Sequence, residues 1–294
     1  MNDDLTPSPS CPPPDPHPTA LRCTLPPLAC DSHFHVFGPH NVFPFARNRP
    51  FTPHDAPKEA LLGLHAALGF ARGVFVQSSC HGNDHAALID LLQSTGGRYR
   101  GVALLTPATP AEEVQRLDAA GVTGVRFHFV AHLGVHPSLD DMRAIMRLVA
   151  PHDWHIALHL AGRDLVTYWD FITAITAPVV IDHMGRVDVS EGPEGAGFTA
   201  LRRLLDRGNV WVKLSGTDRV SAEAAPYRDA VALARSLAQH APERILWGTD
   251  WPHPNVRAMP NDGDLVNLIP DIAVNEATRR RMLVDNPAEF FRFG

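Results

Sequence analysis

Cys30-Asp31-Ser32-His33-Phe34-His35 is the stretch on which the reading of this chain turns. Two histidines one residue apart suit an extended strand, in which alternate side chains share a face. His33 and His35 then emerge on one side near the strand's end. Three later stretches have the same form: Leu158-His159-Leu160, Ile181-Asp182-His183 and Trp247-Gly248-Thr249-Asp250. Each places a metal-ligand or proton-transfer side chain where a strand is expected to stop. Residues so far apart meet readily in a barrel of parallel strands, which brings every strand C-terminus to one face.

Working outward, short β-branched or apolar runs alternate with longer helical patterns from residue 29 onward. Strands are expected at 29–36, 73–78, 101–105, 124–130, 155–160, 178–183, 210–215 and 245–250. Helices are expected between them at 58–68, 84–93, 111–120, 139–149, 164–175, 198–206 and 224–239, then near 276–283, with 287–291 closing the barrel. Eight near-continuous apolar strands, each followed by a helix, spell an α/β fold of the (β/α)8 TIM-type barrel class. A doubly wound open sheet is the competitor, but no Gly-rich phosphate loop follows the first strand. Helix punctuation agrees. Asn83-Asp84 precedes one apolar-periodic run and Gly96-Gly97 stops it, Ser138 precedes Leu139-Asp140-Asp141, and Gly121 follows the 111–120 helix.

The 294 residues suit one large barrel, and 45% hydrophobic with 20% charged residues is ordinary for a globular enzyme. A net charge of −6 with no Lys/Arg run argues against nucleic acid or an anionic membrane as partner. An anionic substrate would therefore need a local basic pocket. The four cysteines form no CxxC pair, which fits reduced thiols. Residues 1–20 lack the apolar core of a signal peptide and no apolar run approaches membrane-spanning length, so a cytoplasmic protein is expected. Assembly into a homo-oligomer is left open. Nine of the first 27 residues are proline. Residues 1–28 are therefore expected to form a disordered or surface-lying extension, with the barrel occupying 29–294.

His33, His35, His159, His183 and Asp250 are the candidates for metal binding and catalysis. Any one histidine alone reads as a hydrogen-bonded core residue. A carboxylate between Trp247 and Trp251 is costly without a cation or donor, and five such residues at four strand ends have no simple structural reading. Arg126, in Gly124-Val125-Arg126-Phe127-His128-Phe129, and Arg219, in Ser215-Gly216-Thr217-Asp218-Arg219, are placed to hold a carboxylate or sulfonate in a guanidinium fork. For Arg219 the alternative is an ion pair with a neighbouring acid such as Asp218. Ser79 and His81 fall just past the second strand, and His128 and His132 follow the fourth.

From Cys30 to the C-terminus the chain resembles the amidohydrolase superfamily, in particular its branch of 2-pyrone-4,6-dicarboxylate lactonases and 4-sulfomuconolactone hydrolases. The likeness rests on residues 31–39 (Asp-Ser-His-Phe-His-Val-Phe-Gly-Pro), 76–84 (Val-Gln-Ser-Ser-Cys-His-Gly-Asn-Asp), 180–186 (Val-Ile-Asp-His-Met-Gly-Arg) with Gly192-Pro193, and 247–255 (Trp-Gly-Thr-Asp-Trp-Pro-His-Pro-Asn). It implies a hydrolase opening a small acid-bearing lactone from bacterial breakdown of aromatic compounds. Catalysis would fall to Asp250 and His183, with His33 and His35, while Ser79, Arg126, Arg219 and His132 would hold substrate. The chain departs from the pyrone-lactonase pattern at His159 and Phe51, where that pattern has tyrosines, and at His132, where it has arginine. The resemblance implies a metal-free mechanism for pyrone lactonases. His159, however, restores a histidine that metal-dependent members use, so one divalent ion, zinc by expectation, is assigned to His33, His35, His183 and either His159 or Asp250. The changed substrate-side groups turn the expected substrate toward 4-sulfomuconolactone, opened to maleylacetate and sulfite. The 2-pyrone-4,6-dicarboxylate is the alternative, and a metal-dependent non-oxidative decarboxylase is the reading from another class.

Overall fold

The computed structural model describes residues 11–130, 137–256 and 258–294. Eight strands run in chain order: β1 (Cys30–Phe34), β2 (Arg72–Val76), β3 (Tyr99–Ala103), β4 (Val122–His128), β5 (His155–His159), β6 (Val179–Ile181), β7 (Val210–Lys213) and β8 (Ile245–Leu246). Each pairs in parallel with the next, as successive right-handed crossovers require. Backbone bonds from Ser32 N to the Trp247 carbonyl (2.8 Å) and from Asp250 N to the His33 carbonyl (2.8 Å) join the last strand's exit to β1. The sheet is thus a nearly closed TIM-type barrel. All eight expected strands are present, but β6 and β8 stop short, so His183 and Asp250 lie in the segments that follow them.

The helices form where the apolar stripe and punctuation direct. In α1 (Lys58–Leu68) the buried Leu61, Leu64, His65 and Leu68 lie on one face at helical spacing, and Gly69 ends the helix at φ 89°. Then come α2 (Ala86–Ser94) and α3 (Ala111–Ala120), the latter stopped by Gly121 at φ 103°. Ser138 caps α4 (Leu139–Val149) in a capping box with Asp141, and Met142, Ile145 and Val149 face inward. The helix expected at 164–175 is two, α5 (Gly162–Thr167) and α6 (Trp169–Ala174). They part at Tyr168, whose ring packs 4.8 Å from Phe129. After α7 (Ala196–Leu205) and the single turn α8 (Thr217–Val220), α9 (Arg228–His240) begins beyond Pro226, later than expected, because proline removes a helical donor. The chain finishes with α10 (Asp262–Val266), α11 (Ile269–Ile272), α12 (Glu276–Arg280) and α13 (Asn286–Phe290).

Of the Pro-rich extension, residues 1–10 lie outside the described residues. Within residues 11–28, side chains from the C-terminal part of the chain collect several backbone groups, and Cys11 and Leu25 are buried. Asn261 Oδ1 accepts from Thr19 N (2.8 Å), and Asn267 accepts from Arg22 N (2.6 Å) while donating to the Ala20 carbonyl (3.0 Å). No described helix is long and apolar enough to cross a membrane.

Candidate active site

The C-terminal mouth of the barrel holds a cavity of about 380 Å³, including its opening, lined in part by His35, His159, His183 and Asp250. Asp31 builds its wall without entering it. Fully buried in β1, it accepts from Thr249 N (3.0 Å), Thr249 Oγ1 (2.6 Å), His65 Nε2 (3.2 Å) and His33 N (3.1 Å). These bonds clip the segment after β8 onto β1. They hold Asp250, at φ 66°, among the histidines.

Asp250 Oδ1 lies 3.5 Å from His33 Nε2, 3.4 Å from His35 Nε2 and 3.7 Å from His183 Nε2. Its other oxygen accepts from Arg219 Nε, so Arg219 pairs with this carboxylate rather than with Asp218. Burial alone would raise the Asp250 pKa, but Arg219 and then His183 hold it well below the usual carboxylate range. Asp250 is therefore ionised across the physiological range. Burial brings the His183 imidazole down to about 3, against the pull of Asp250, so that ring is neutral.

A second buried carboxylate, Asp182, organises the floor. It accepts from Arg126 Nε (2.8 Å), lies 3.1 Å from Lys213 Nζ and 3.4 Å from His33 Nδ1. Lys213 Nζ also sits 3.0 Å from His33 Nδ1. An ammonium can only donate, so in that contact the His33 ring hydrogen resides on Nε2, directed at Asp250. His183 Nδ1 meets Ser215 Oγ at 3.0 Å, a hydroxyl that serves either tautomer. His35 Nδ1 donates to the Val76 carbonyl (2.6 Å), leaving Nε2 to face the cavity.

Of the five candidate metal ligands, His33, His183 and Asp250 present ligand atoms all within 4.8 Å of one another. His35 and His159 are not in that group. These three fit a divalent cation in kind, offering two imidazoles and a carboxylate, and His33 Nε2 is buried with no hydrogen-bond partner among the described residues. Ligation through that atom requires its hydrogen to move to Nδ1, where Asp182 Oδ1 is the available acceptor. His159 ends β5 with both nitrogens buried and unpartnered among the described residues, its ring centroid 5.5 Å from that of His183.

Ser79 lines the cavity with Oγ similarly unpartnered. Arg126 and Arg219 line it as well, each already engaged by one aspartate. His132 lies outside the described residues. Asp182, Lys213, Ser215 and Arg186 carried no assigned role in the sequence reading. Lys213 had a signal of its own, a lone charge ending the apolar run Val210-Trp211-Val212. Arg186 was visible only as the last letter of a motif. Three arginines, Arg126, Arg186 and Arg219, line the cavity.

The family model described as Amidohydrolase matches residues 30–293. The chain is 43% identical over 285 residues to a 2-pyrone-4,6-dicarboxylate hydrolase of Comamonas testosteroni, covering 94% of this chain and 93% of the relative. It is 39% identical over 290 residues to a 4-sulfomuconolactone hydrolase of Hydrogenophaga intermedia, covering 97% and 95%. An apo crystal structure from Agrobacterium tumefaciens superposes with a TM-score of 0.82 at 29% identity, covering 94% of this chain and 99% of that one. With the family model matched from β1 to the end of the chain and relatives of this identity along nearly its whole length, this chain belongs to the amidohydrolase family.

Proposed function

We propose that the protein is a hydrolase that opens a small lactone bearing acid groups. One observation carries this reading: an ionised aspartate, neutral imidazoles and three guanidiniums share a single cavity. Two relatives covering nearly the whole chain carry the names of lactone hydrolases, which supports the same class.

In this mechanism Asp250 accepts a proton from the water that attacks the lactone carbonyl. Arg219 keeps that carboxylate ionised and aimed. In the metal-free form of this mechanism, neutral imidazoles that carry hydrogen on Nε2, as His33 does under Lys213, donate to the oxygen on which negative charge develops. A divalent ion, zinc by the nitrogen-rich donor set, would be held by His33, His183 and Asp250 and would supply Lewis-acid polarisation of that oxygen. Arg126, Arg219 and Ser79 orient the substrate's acid groups. Water addition breaks the acyl–oxygen bond and leaves a carboxylate and a hydroxyl.

Within that class we favour 4-sulfomuconolactone. Phe51 and His159 both line the cavity, and neither offers the phenol that the pyrone-lactonase pattern places there. After ring opening, the carbon bearing both hydroxyl and sulfonate collapses to a ketone with loss of sulfite, giving maleylacetate.

The test is a panel of 4-sulfomuconolactone, 2-pyrone-4,6-dicarboxylate and a carboxylated phenol, assayed before and after chelation with metal content measured alongside. Sulfite release from the first substrate, lost with the metal, is the expected result. Faster opening of the pyrone, indifferent to chelation, would move the assignment to that substrate. Carbon dioxide from the phenol would replace hydrolysis with decarboxylation.

A further inference from the structure

Among the arginines lining the cavity, Arg186 differs from the others. Arg126 gives its Nε to Asp182 Oδ2 (2.8 Å), and Arg219 gives Nε to Asp250 and Nη1 to the Pro254 carbonyl (3.0 Å). Each of those two charges is already balanced by an aspartate. Arg186 has no ion pair and no hydrogen bond among the described residues, yet it is half-buried in the same cavity. Burial, and then the like charge of Arg219, hold its pKa below the ordinary guanidinium value. Asp250 and Asp218 offset this charge only from a distance, without an ion pair, so a partly desolvated cation placed here favours an arriving anion.

The backbone that delivers Arg186 is an independent observation. His183, Met184, Gly185 and Arg186 are consecutive residues at φ 51°, 53°, 62° and 42°. Left-handed runs in non-glycine residues are rare and strained, and they persist where the surroundings over-determine them. Here the surroundings do so. Gly216, itself at φ 75°, lies so close that a β-carbon on it would come 2.9 Å from His183 Cβ, and one on Gly185 would come 2.9 Å from Leu165. One strained turn therefore fixes the backbone from which His183, at the reacting centre, and Arg186, whose guanidinium has no ion pair among the described residues, both project.

We propose that Arg186 is the principal clamp for an acid group of the substrate, a carboxylate or sulfonate remote from the scissile carbonyl. This rests on the lactonase reading for the word substrate, and it narrows the ligand class to small cyclic acids carrying two anionic groups. Arg126 and Arg219 then reach the substrate only with the donors that their aspartates leave free, and Arg186 supplies the uncommitted fork.

The probe is isophthalate, a non-hydrolysable ring with two carboxylates, compared with its monomethyl ester by titration calorimetry on the full chain. Wild type is expected to bind the diacid more tightly than the monoester. Arg186→Met should weaken the diacid by at least about tenfold, the size of a lost charge-assisted pair. Arg186→Lys should recover part of the loss, and a wild-type crystal soaked with isophthalate should show a carboxylate on the Arg186 guanidinium. The soak stands even if the methionine variant does not fold. Equal affinity of wild type and Arg186→Met for the diacid, no binding to wild type, or a carboxylate seated away from Arg186 would each overturn the assignment. Binding through Arg186 by a protein that opens no lactone would uphold the clamp and sink the proposed reaction instead.

Discussion

The two ends of the barrel reach the left-handed backbone region by different means. Opposite the cavity, where helices lead into strands, glycines take most such turns, at Gly69, Gly97, Gly121 and Gly208, with Leu28, Asp153 and Arg292 as exceptions. At the cavity end the same region is occupied by His183, Met184, Arg186, Asp250, His253 and Asn255. Glycine adopts positive φ at little cost, whereas each bulky residue there costs on the order of 1–3 kcal/mol. The side chains divide the same way. Phe290, Phe291 and Phe293 pack the far end with edge-on contacts, while the near end buries Asp182, Asp250, Lys213 and Arg126. One end is built for stability, and the other spends stability to hold charges and imidazoles in place.

If that division is sound, substitutions at the two ends should fail in different assays. Asp250→Asn at the cavity should lower kcat by about 10²–10⁴, the usual contribution of a general base, with circular dichroism unchanged. A variant that kept most of its turnover would remove Asp250 from the role of base. At the opposite end, Phe291 is fully buried against Phe290 (ring centroids 5.0 Å) and His155 (5.3 Å). Phe291→Ala should cost about 3–5 kcal/mol in urea unfolding by leaving a cavity in that plug. Its kcat per folded molecule should stay at the wild-type value. A parallel fall in kcat would mean that the ends are coupled and the comparison fails.

The same contrast explains what was legible in the sequence. Strand order and the far-end turns follow local rules, an apolar run, a stripe at helical spacing or a glycine after it, so α1, α3 and α4 fall within their expected bounds. His33 and His159 were found because they sit on strands. His183 and Asp250 were found by motif but misplaced onto strands, since β6 ends at Ile181 and β8 at Leu246. Strain of this kind is set by neighbours such as Gly216, which no local pattern announces. The ion pairs were less legible still. Arg126 reaches Asp182 across two strands, and Lys213 reaches His33 across 180 residues, so both depend on side-chain directions known only after the barrel closes. Arg219 pairs with Asp250 rather than its chain neighbour for the same reason.

The smallest expected effect tests the cavity end through pH. His253, fully buried at φ 58°, places Nε2 3.0 Å from Asp262 Oδ1, with both side chains inaccessible to solvent. Burial pulls its pKa down, but Asp262, with Asp218 and Asp250 behind it, raises it above the ordinary histidine value. The native state therefore holds this proton more tightly than the unfolded chain does. Below the unfolded value of about 6.5 both states are protonated and the stabilisation is fully present. As pH rises through the higher folded value the native imidazolium loses its proton, and that contribution disappears. Wild type should accordingly lose more thermal stability between pH 6 and pH 8.5 than His253→Gln, because the difference between the two cancels every other titrating group. Equal slopes would mean that His253 carries no such proton. The charged end would then owe its stability to other contacts, such as those of Asp182 with Arg126 and Lys213.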